Sequence, residues 1–419
     1  MSQETTQPTV PSSVGGSTLF RAWIVTIAAG LLAGSYGIYR VLTEGTVALG
    51  ISNQFPWGLL ISTYEFFLLM GAGIIISIVT LAVVFRVEGA ELILKRAVIL
   101  AIGSVAAGLF AITISLGRPD RPMIHAVINA NLSSPIWWVV MFAGALVAVL
   151  AVFVLLLERG STVRPEHVKA VGVGGFLVAI GMTLGAGYIF GMAESRPYYG
   201  GIFAPLYFLL TGVMSGVALV AFVVIAEFKL TGRQMCDELE RFMTRYLSAG
   251  LGVLVGLSLL FALLKGTYGL TATSEATSMA YQQMLLGSFA PIYWGLGILV
   301  GLVLPLAILL NPGTRTLNGV LVSAGAVIVG VFVTRYEFVI GGQVVALVQD
   351  PSYQYPIVSY TPSFVEGLLV LFAVALLASI YTFAQSICTT TFCSLDQVPS
   401  FTQTSLTECT LPDGGQDNE

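Results

Sequence analysis

Apolar runs long enough to cross a bilayer recur ten times along the chain, near 21–43, 57–85, 96–116, 135–157, 168–190, 203–228, 248–264, 288–310, 316–340 and 364–386. A hydrocarbon layer of about 30 Å is spanned by about 20 helical residues, and backbone inside it must satisfy its own hydrogen bonds. Each run is therefore expected to be a helix, which makes the fold class an all-α polytopic membrane protein. Polar positions collect between the runs and at the ends. Residues 1–19, rich in Ser, Thr, Gln and Pro, read as a disordered tail, without the basic start and cleavage site of a secretory signal. Residues 387–419 form a second polar tail whose charged side chains, from Asp396 to Glu419, are all acidic. The transmembrane domain is expected to cover 20–386.

A weak repeat divides that domain. Phe55-Pro56-Trp57 opens the second run and leads to Gly71-Ala72-Gly73; Phe203-Ala204-Pro205 opens the sixth and leads to Gly212 and Gly216. Both runs point the same way, and a charged loop comes after each. Two parallel four-helix bundles are expected, one over about 55–200 and the other over about 203–340, flanked by the first and last spans. In the second charged loop Leu239, Phe242, Met243 and Tyr246 share one helical face, as in a helix lying at the membrane surface. The 46 glycines include spaced pairs (Gly30/Gly34, Gly181/Gly185, Gly212/Gly216, Gly252/Gly256, Gly297/Gly301) that let helices approach closely.

A mean hydropathy of +0.90 fits this class. With the N-terminus on the cytoplasmic side, twelve of the 18 basic residues fall there and six on the other side, so both termini are expected in the cytoplasm. The location is then the cytoplasmic (inner) membrane. No basic stripe suggests nucleic acid. The four cysteines form no CxxC or iron–sulfur spacing and read as incidental thiols. Two histidines, His125 and His167, fall on opposite sides in loops, so paired axial ligands for a haem are absent.

With only 18 basic and 22 acidic residues in all, charges close to the spans stand out. Glu65 lies about two turns into the second span, with Ser62 one turn above it on the same face. The third span ends outward at Arg118-Pro119-Asp120, with His125 next in a loop, and the fifth ends at Glu194-Ser195-Arg196-Pro197. Lys265, Arg335, Glu337 and Glu366 sit at similar depth in the second half. An Arg-Pro pair alone is explained by snorkelling and a helix stop; Glu65 is harder to explain, since a carboxylate that deep needs a partner or a proton. A quinone headgroup needs donors to two carbonyl oxygens and a group that exchanges protons with it. Glu65, His125 and Arg196 supply such groups without a metal.

At these residues the chain resembles the membrane subunits of the polysulfide reductase (NrfD-like) family. The matching stretches are Pro56-Trp57-Gly58 leading to Gly71-Ala72-Gly73, Leu116-Gly117-Arg118-Pro119, Ser133-Ser134-Pro135-Ile136-Trp137-Trp138 and Ser195-Arg196-Pro197, in order over about 55–215. The resemblance implies a haem-free subunit that binds a quinone (menaquinone is the expected one) in the first bundle near the outer face. It implies a ferredoxin-like iron–sulfur partner docked there, with a molybdopterin-type subunit or a multihaem cytochrome c completing the complex. In the polysulfide reductase branch the ionisable residue on the first core helix is a His; Glu65 stands there, and Ser62 stands where an Asn is found. Arg196 matches the family's site arginine. The expected Tyr about eleven residues earlier is replaced by Gly185, and Tyr188 is a displaced candidate. Ser62, Glu65, Arg118, Asp120, His125, Tyr188 and Arg196 are thus the expected quinone-site residues, with Glu65 exchanging the proton. Ten spans resemble the family's longer branches. A secondary transporter would place its acids near the midplane on inverted repeats, and a pure membrane anchor would need none. No continuous acid relay is legible in the inner halves of the spans, so proton translocation stays open at this point.

Overall fold

The computed structural model describes residues 18–87, 89–159, 163–232, 234–347 and 355–388. The tail regions 1–17 and 389–419 lie outside these residues. Among the described residues ten helices are long and apolar enough to span a membrane, in register with the ten runs read from the sequence. In chain order the helices are α1 (Thr18–Glu44), α2 (Leu59–Val83), α3 (Glu91–Ser115), α4 (Asp120–Ile128), α5 (Pro135–Arg159), α6 (Pro165–Gly191), α7 (Phe203–Thr231), α8 (Asp237–Leu270), α9 (Glu275–Leu285), α10 (Ile292–Leu310), α11 (Leu317–Gly341) and α12 (Phe364–Cys388). Only α4 and α9 are too short to span. Among the described residues no strand forms; Val345 and Ile357 make an isolated antiparallel bridge.

Local chemistry sets several helix ends. Proline at the first helical position starts α5 and α6, where its missing N–H costs nothing. Gly232, left-handed at φ 70°, closes α7. Ser363 and Glu366 form a reciprocal cap at the start of α12: Ser363 Oγ accepts from Glu366 N at 3.1 Å, and Glu366 Oε2 accepts from Ser363 N at 2.9 Å. The same carboxylate accepts from Leu59 N, Gly50 N and the Tyr360 hydroxyl, so it also caps α2.

Helix α2 is the centre of the molecule. It packs along α3 and α7 and also touches α6 and α11, and 83% of its apolar window is buried, against 17% for α1. Helices α5 and α6 pair beside it; α7, α8, α10 and α11 pack together on the other side. Helices α1 and α12 pair antiparallel, with Gly30 against Ala375 and Gly34 against Phe372, and α12 lies on α3. The start of α1 and the end of α12 therefore share one face, called here the terminal face; the opposite one is the distal face. At the α2–α7 crossing a Cβ on Gly73 would run into the Gly212 carbonyl, so only glycine allows that approach.

Three local differences from the sequence reading have physical causes. The segment around Leu239 is the first part of α8 rather than a separate surface helix. A π turn at Phe242–Leu247 adds a residue to the helix and rotates the turns beyond it, so Leu239, Phe242 and Met243 are buried while Tyr246 is exposed. His125 lies on α4, not in a loop. Cys236, read as a thiol, is held in a disulfide, a pairing in space that spacing along the chain does not encode.

Candidate functional site

Glu65 is the seventh residue of α2, about 9 Å below the distal end of that helix at 1.5 Å per residue. Its side chain is fully buried; the neighbouring Tyr64 phenol interacts with the carboxylate, but no donor meets either oxygen in good hydrogen-bond geometry. Arg335 of α11 lies within electrostatic reach of it and is equally buried. Arg335 Nη2 donates to Thr211 Oγ1 at 2.6 Å and its guanidinium sits 3.8 Å from the Phe208 ring centroid, while Nε and Nη1 have no acceptor. The Ser62 hydroxyl is also buried without a partner. Buried polar atoms are nearly always paired, because leaving one unpaired costs about 1–3 kcal/mol and more for a charged group. Acceptors on Glu65 and donors on Arg335 and Ser62 are therefore unsatisfied together in the middle of the helix bundle. A ligand with carbonyl and hydroxyl oxygens answers both kinds.

Between this group and the distal surface lies a layer of rings. Phe190 of α6 packs against Trp57, Tyr199, Phe208 and Phe338, at centroid distances of 5.2, 5.0, 5.4 and 5.7 Å. Gln343 locks Trp57 in place: its Nε2 donates to Trp57 O and its Oε1 accepts from Trp57 N. Arg196 stands above the layer, half-buried, and its Nη1 donates to Gly342 O at 3.0 Å. Burial pulls its guanidinium below the usual arginine range, with Tyr199 offsetting part of this, and burial pushes the Tyr199 phenol up.

The residues expected to form one site thus occupy three levels. Ser62 and Glu65 are inside the bundle. Arg196 is at its rim. Arg118, Asp120, His125 and Tyr188 are exposed; His125 Nδ1 lies 3.1 Å from Nδ2 of Asn129, the residue just after α4. The Ser-Ser-Pro-Ile-Trp-Trp stretch fixes that outer region, since the Trp137 indole donates to Ala126 O of α4 at 2.7 Å and the Trp138 indole to Leu132 O at 2.9 Å. Gly117, at φ 66°, makes the turn from α3 toward α4 that few other residues tolerate.

Sequence reasoning named Arg335 among the acids and bases of the second half but did not join it to Glu65. Arg335 and Glu337 are two apart on one helix and so point to different sides. Arg335 turns toward α2. Glu337 turns toward a second polar site, where its Oε1 accepts from the Tyr198 hydroxyl at 2.8 Å. Lys265 of α8 lies beside it, its Nζ 4.3 Å from the centroid of Tyr198 and 4.4 Å from that of Phe338. A cavity of about 40 Å³ touches Lys265, Glu337, Tyr207 and Thr211. On the terminal side, Arg96 Nε and Nη2 each reach a Glu227 oxygen at 3.1 Å, and the Tyr381 hydroxyl donates to the same carboxylate. Among the described residues no three His, Cys, Asp or Glu side chains are grouped to hold a metal ion.

The family described as Polysulphide reductase, NrfD, matches residues 48–347. The Hdr-like menaquinol oxidoreductase integral membrane subunit of Archaeoglobus fulgidus is 26% identical over 384 residues, covering 88% of this chain and 92% of the relative. A selenate reductase subunit of Mesobacillus selenatarsenatis is 26% identical over 349 residues, 74% of this chain and 79% of its own. The menaquinone reductase integral membrane subunit of Nitratidesulfovibrio vulgaris is 25% identical over 375 residues, 83% and 86% of the two chains.

Proposed function

The chain belongs to the NrfD polysulphide reductase family, and from that premise we propose that it is the quinone-interacting membrane subunit of a respiratory oxidoreductase complex. It exchanges electrons between a membrane quinone, menaquinone, which two relatives name as menaquinol or menaquinone, and a redox partner docked on its distal face. That partner is a ferredoxin-like iron–sulfur subunit, with a molybdopterin-type subunit or a multihaem cytochrome c beyond it. The distal face is the outer one, and both termini are in the cytoplasm.

The observation that carries this reading is the unsatisfied set at Glu65, Ser62 and Arg335. A quinone takes two electrons and two protons to become a quinol. Its two carbonyl oxygens accept from donors such as the Arg335 guanidinium and the Ser62 hydroxyl, and the Glu65 carboxyl gives or takes a proton at the oxygen beside it. The headgroup enters from lipid by parting the Trp57–Phe190–Tyr199 layer, since Glu65 is fully buried behind it. Arg196 guides the ring at the rim. Arg118, Asp120, His125 and Tyr188, exposed on the distal side, belong to the entrance and the approach of protons.

The test is quinol–acceptor turnover of the intact complex in membranes. Glu65→Gln keeps volume and hydrogen bonding but cannot exchange a proton, so turnover is expected to fall by about 10²-fold or more with the amount of assembled complex unchanged. Arg196→Ala is expected to raise the quinone concentration needed for half-maximal rate. Wild-type turnover in Glu65→Gln, in a normally assembled complex, would reduce the chain to a membrane anchor at this position.

A further inference from the structure

Four ionisable side chains of this protein, Glu65, Arg335 and Glu337 buried and Lys265 partly buried, lie in a row that the quinone chemistry uses only at one end. Glu65 lies within electrostatic reach of Arg335, Arg335 of Lys265, and Lys265 of Glu337. All lie inside the helix bundle, and among the described residues no other charged group acts on the Lys265–Glu337 end. Around Lys265 and Glu337 the titratable neighbours are the phenols Tyr198 from the loop after α6, Tyr207 of α7, Tyr281 of α9 and Tyr293 of α10, besides Arg335 itself. With every group ionised the row is two negative charges at its ends and two positive ones between, and its net charge is zero.

That balance cannot survive quinone chemistry at Glu65 alone. Once Glu65 is protonated, the row holds one uncompensated positive charge in a low-dielectric interior, which is expensive to keep. Arg335 cannot relieve it, because a guanidinium does not lose its proton in proteins. Lys265 can, since an ammonium held among rings, as it is by Tyr198 and Phe338, gives up its proton far more readily than a guanidinium. The space to receive the proton is present: the cavity of about 40 Å³ against Lys265, Glu337 and Thr211 exceeds what one water needs, about 10–15 Å³. Thr211 lines that cavity and also holds Arg335, so the two polar sites share a wall. The Tyr198 hydroxyl joins Glu337 to the loop at the distal surface.

We propose that Lys265 and Glu337 form a second protonation site, coupled through Arg335 to Glu65, which releases one proton for each that Glu65 takes up. The inference rests on the quinone reading of Glu65. During quinol oxidation two electrons pass to the redox partner and two protons leave the quinol oxygens. One of them goes to the Glu65 carboxylate and the other leaves directly to the solution at the distal face. Lys265 then gives one proton from its ammonium through the cavity beside Tyr198 to the solution at the distal face, and the row returns to zero net charge. When Glu65 later loses its proton, Lys265 regains one.

The test is prompt proton release, tracked with a pH-sensitive dye, during a single turnover of quinol by the detergent-purified complex. Two variants are compared with wild type. Lys265→Arg keeps the charge and much of the volume but cannot release a proton. The pair Lys265→Met with Glu337→Gln removes the site without leaving a lone buried charge, so it is expected to assemble even where a single change would not. In both, quinol oxidation continues and the prompt proton yield is expected to fall to roughly half, the remainder appearing slowly. A wild-type prompt yield from either variant, in a normally assembled complex, would overturn the coupling. A failure of the quinone reading shows elsewhere, as wild-type turnover in Glu65→Gln.

Discussion

Breaking the ion pair between Arg96 and Glu227 tests whether the terminal half of the bundle is as dry as its packing implies. Both side chains are nearly fully buried and bonded two-fold, with the Tyr381 hydroxyl as a third donor to the carboxylate. Arg96→Met removes the partner and leaves Glu227 charged among Phe222, Leu100 and Leu377, beside a groove of about 480 Å³. Losing one partner of a buried pair typically costs about 3–5 kcal/mol, or roughly two to three and a half powers of ten in the folded ratio at about 1.4 kcal/mol per decade. Glu227→Gln removes the carboxylate that Arg96 bonds two-fold and is expected to cost a similar amount. The double variant, which removes both charges of the pair, should recover most of the loss, because replacing both partners is often near neutral. Denaturant unfolding of the purified chain in one detergent, over the full cycle, gives the coupling. Single variants within about 1 kcal/mol of wild type would mean that water from the groove solvates the pair, and the packing argument for this region would fail.

Two further changes address the frame around the site. Gly73→Leu places a side chain where α2 and α7 cross backbone to backbone, so assembled complex in membranes should drop sharply, beyond the usual overpacking cost of about 1–3 kcal/mol; a normal amount would show that the crossing is looser than described. Glu366→Ala orphans the N–H groups of Gly50 and Ser363, while Leu59 N keeps the Tyr360 hydroxyl at 2.7 Å, at about 1–3 kcal/mol for each left dry, so the distal loops should become protease-sensitive while the spans stay inserted.

How far the sequence reaches depends on whether the relevant interaction is local. Ten spans were legible because length and apolarity are properties of contiguous residues, and the close approaches at Gly34 and Gly212 come from spacing on one helix. The α12 cap was legible in principle as Ser363-x-x-Glu366, a local pattern. Helices α4 and α9 escaped an apolar-length criterion because they never cross the bilayer. The facing of Glu65 and Arg335 was out of reach for a deeper reason: it depends on how α2 and α11 rotate against each other, and both are apolar nearly all round, so no polar stripe reports the angle. The same holds for Lys265 and Glu337. Arg196 was placed by a short motif, and the motif gave its level on the distal side but not its hydrogen bond to Gly342 O.

The central claim is that a quinone headgroup sits at Glu65, between α2 and α11. A photoreactive quinone analogue, activated in the intact complex within native membranes and mapped by peptide mass, addresses it most directly. The account predicts labels in Leu59–Val83 and Leu317–Gly341, lost when unlabelled menaquinone competes and reduced in Glu65→Gln. Competable labelling confined to the groove lined by Trp23, Phe222 and Tyr381 on the terminal side, with none on α2, would contradict it.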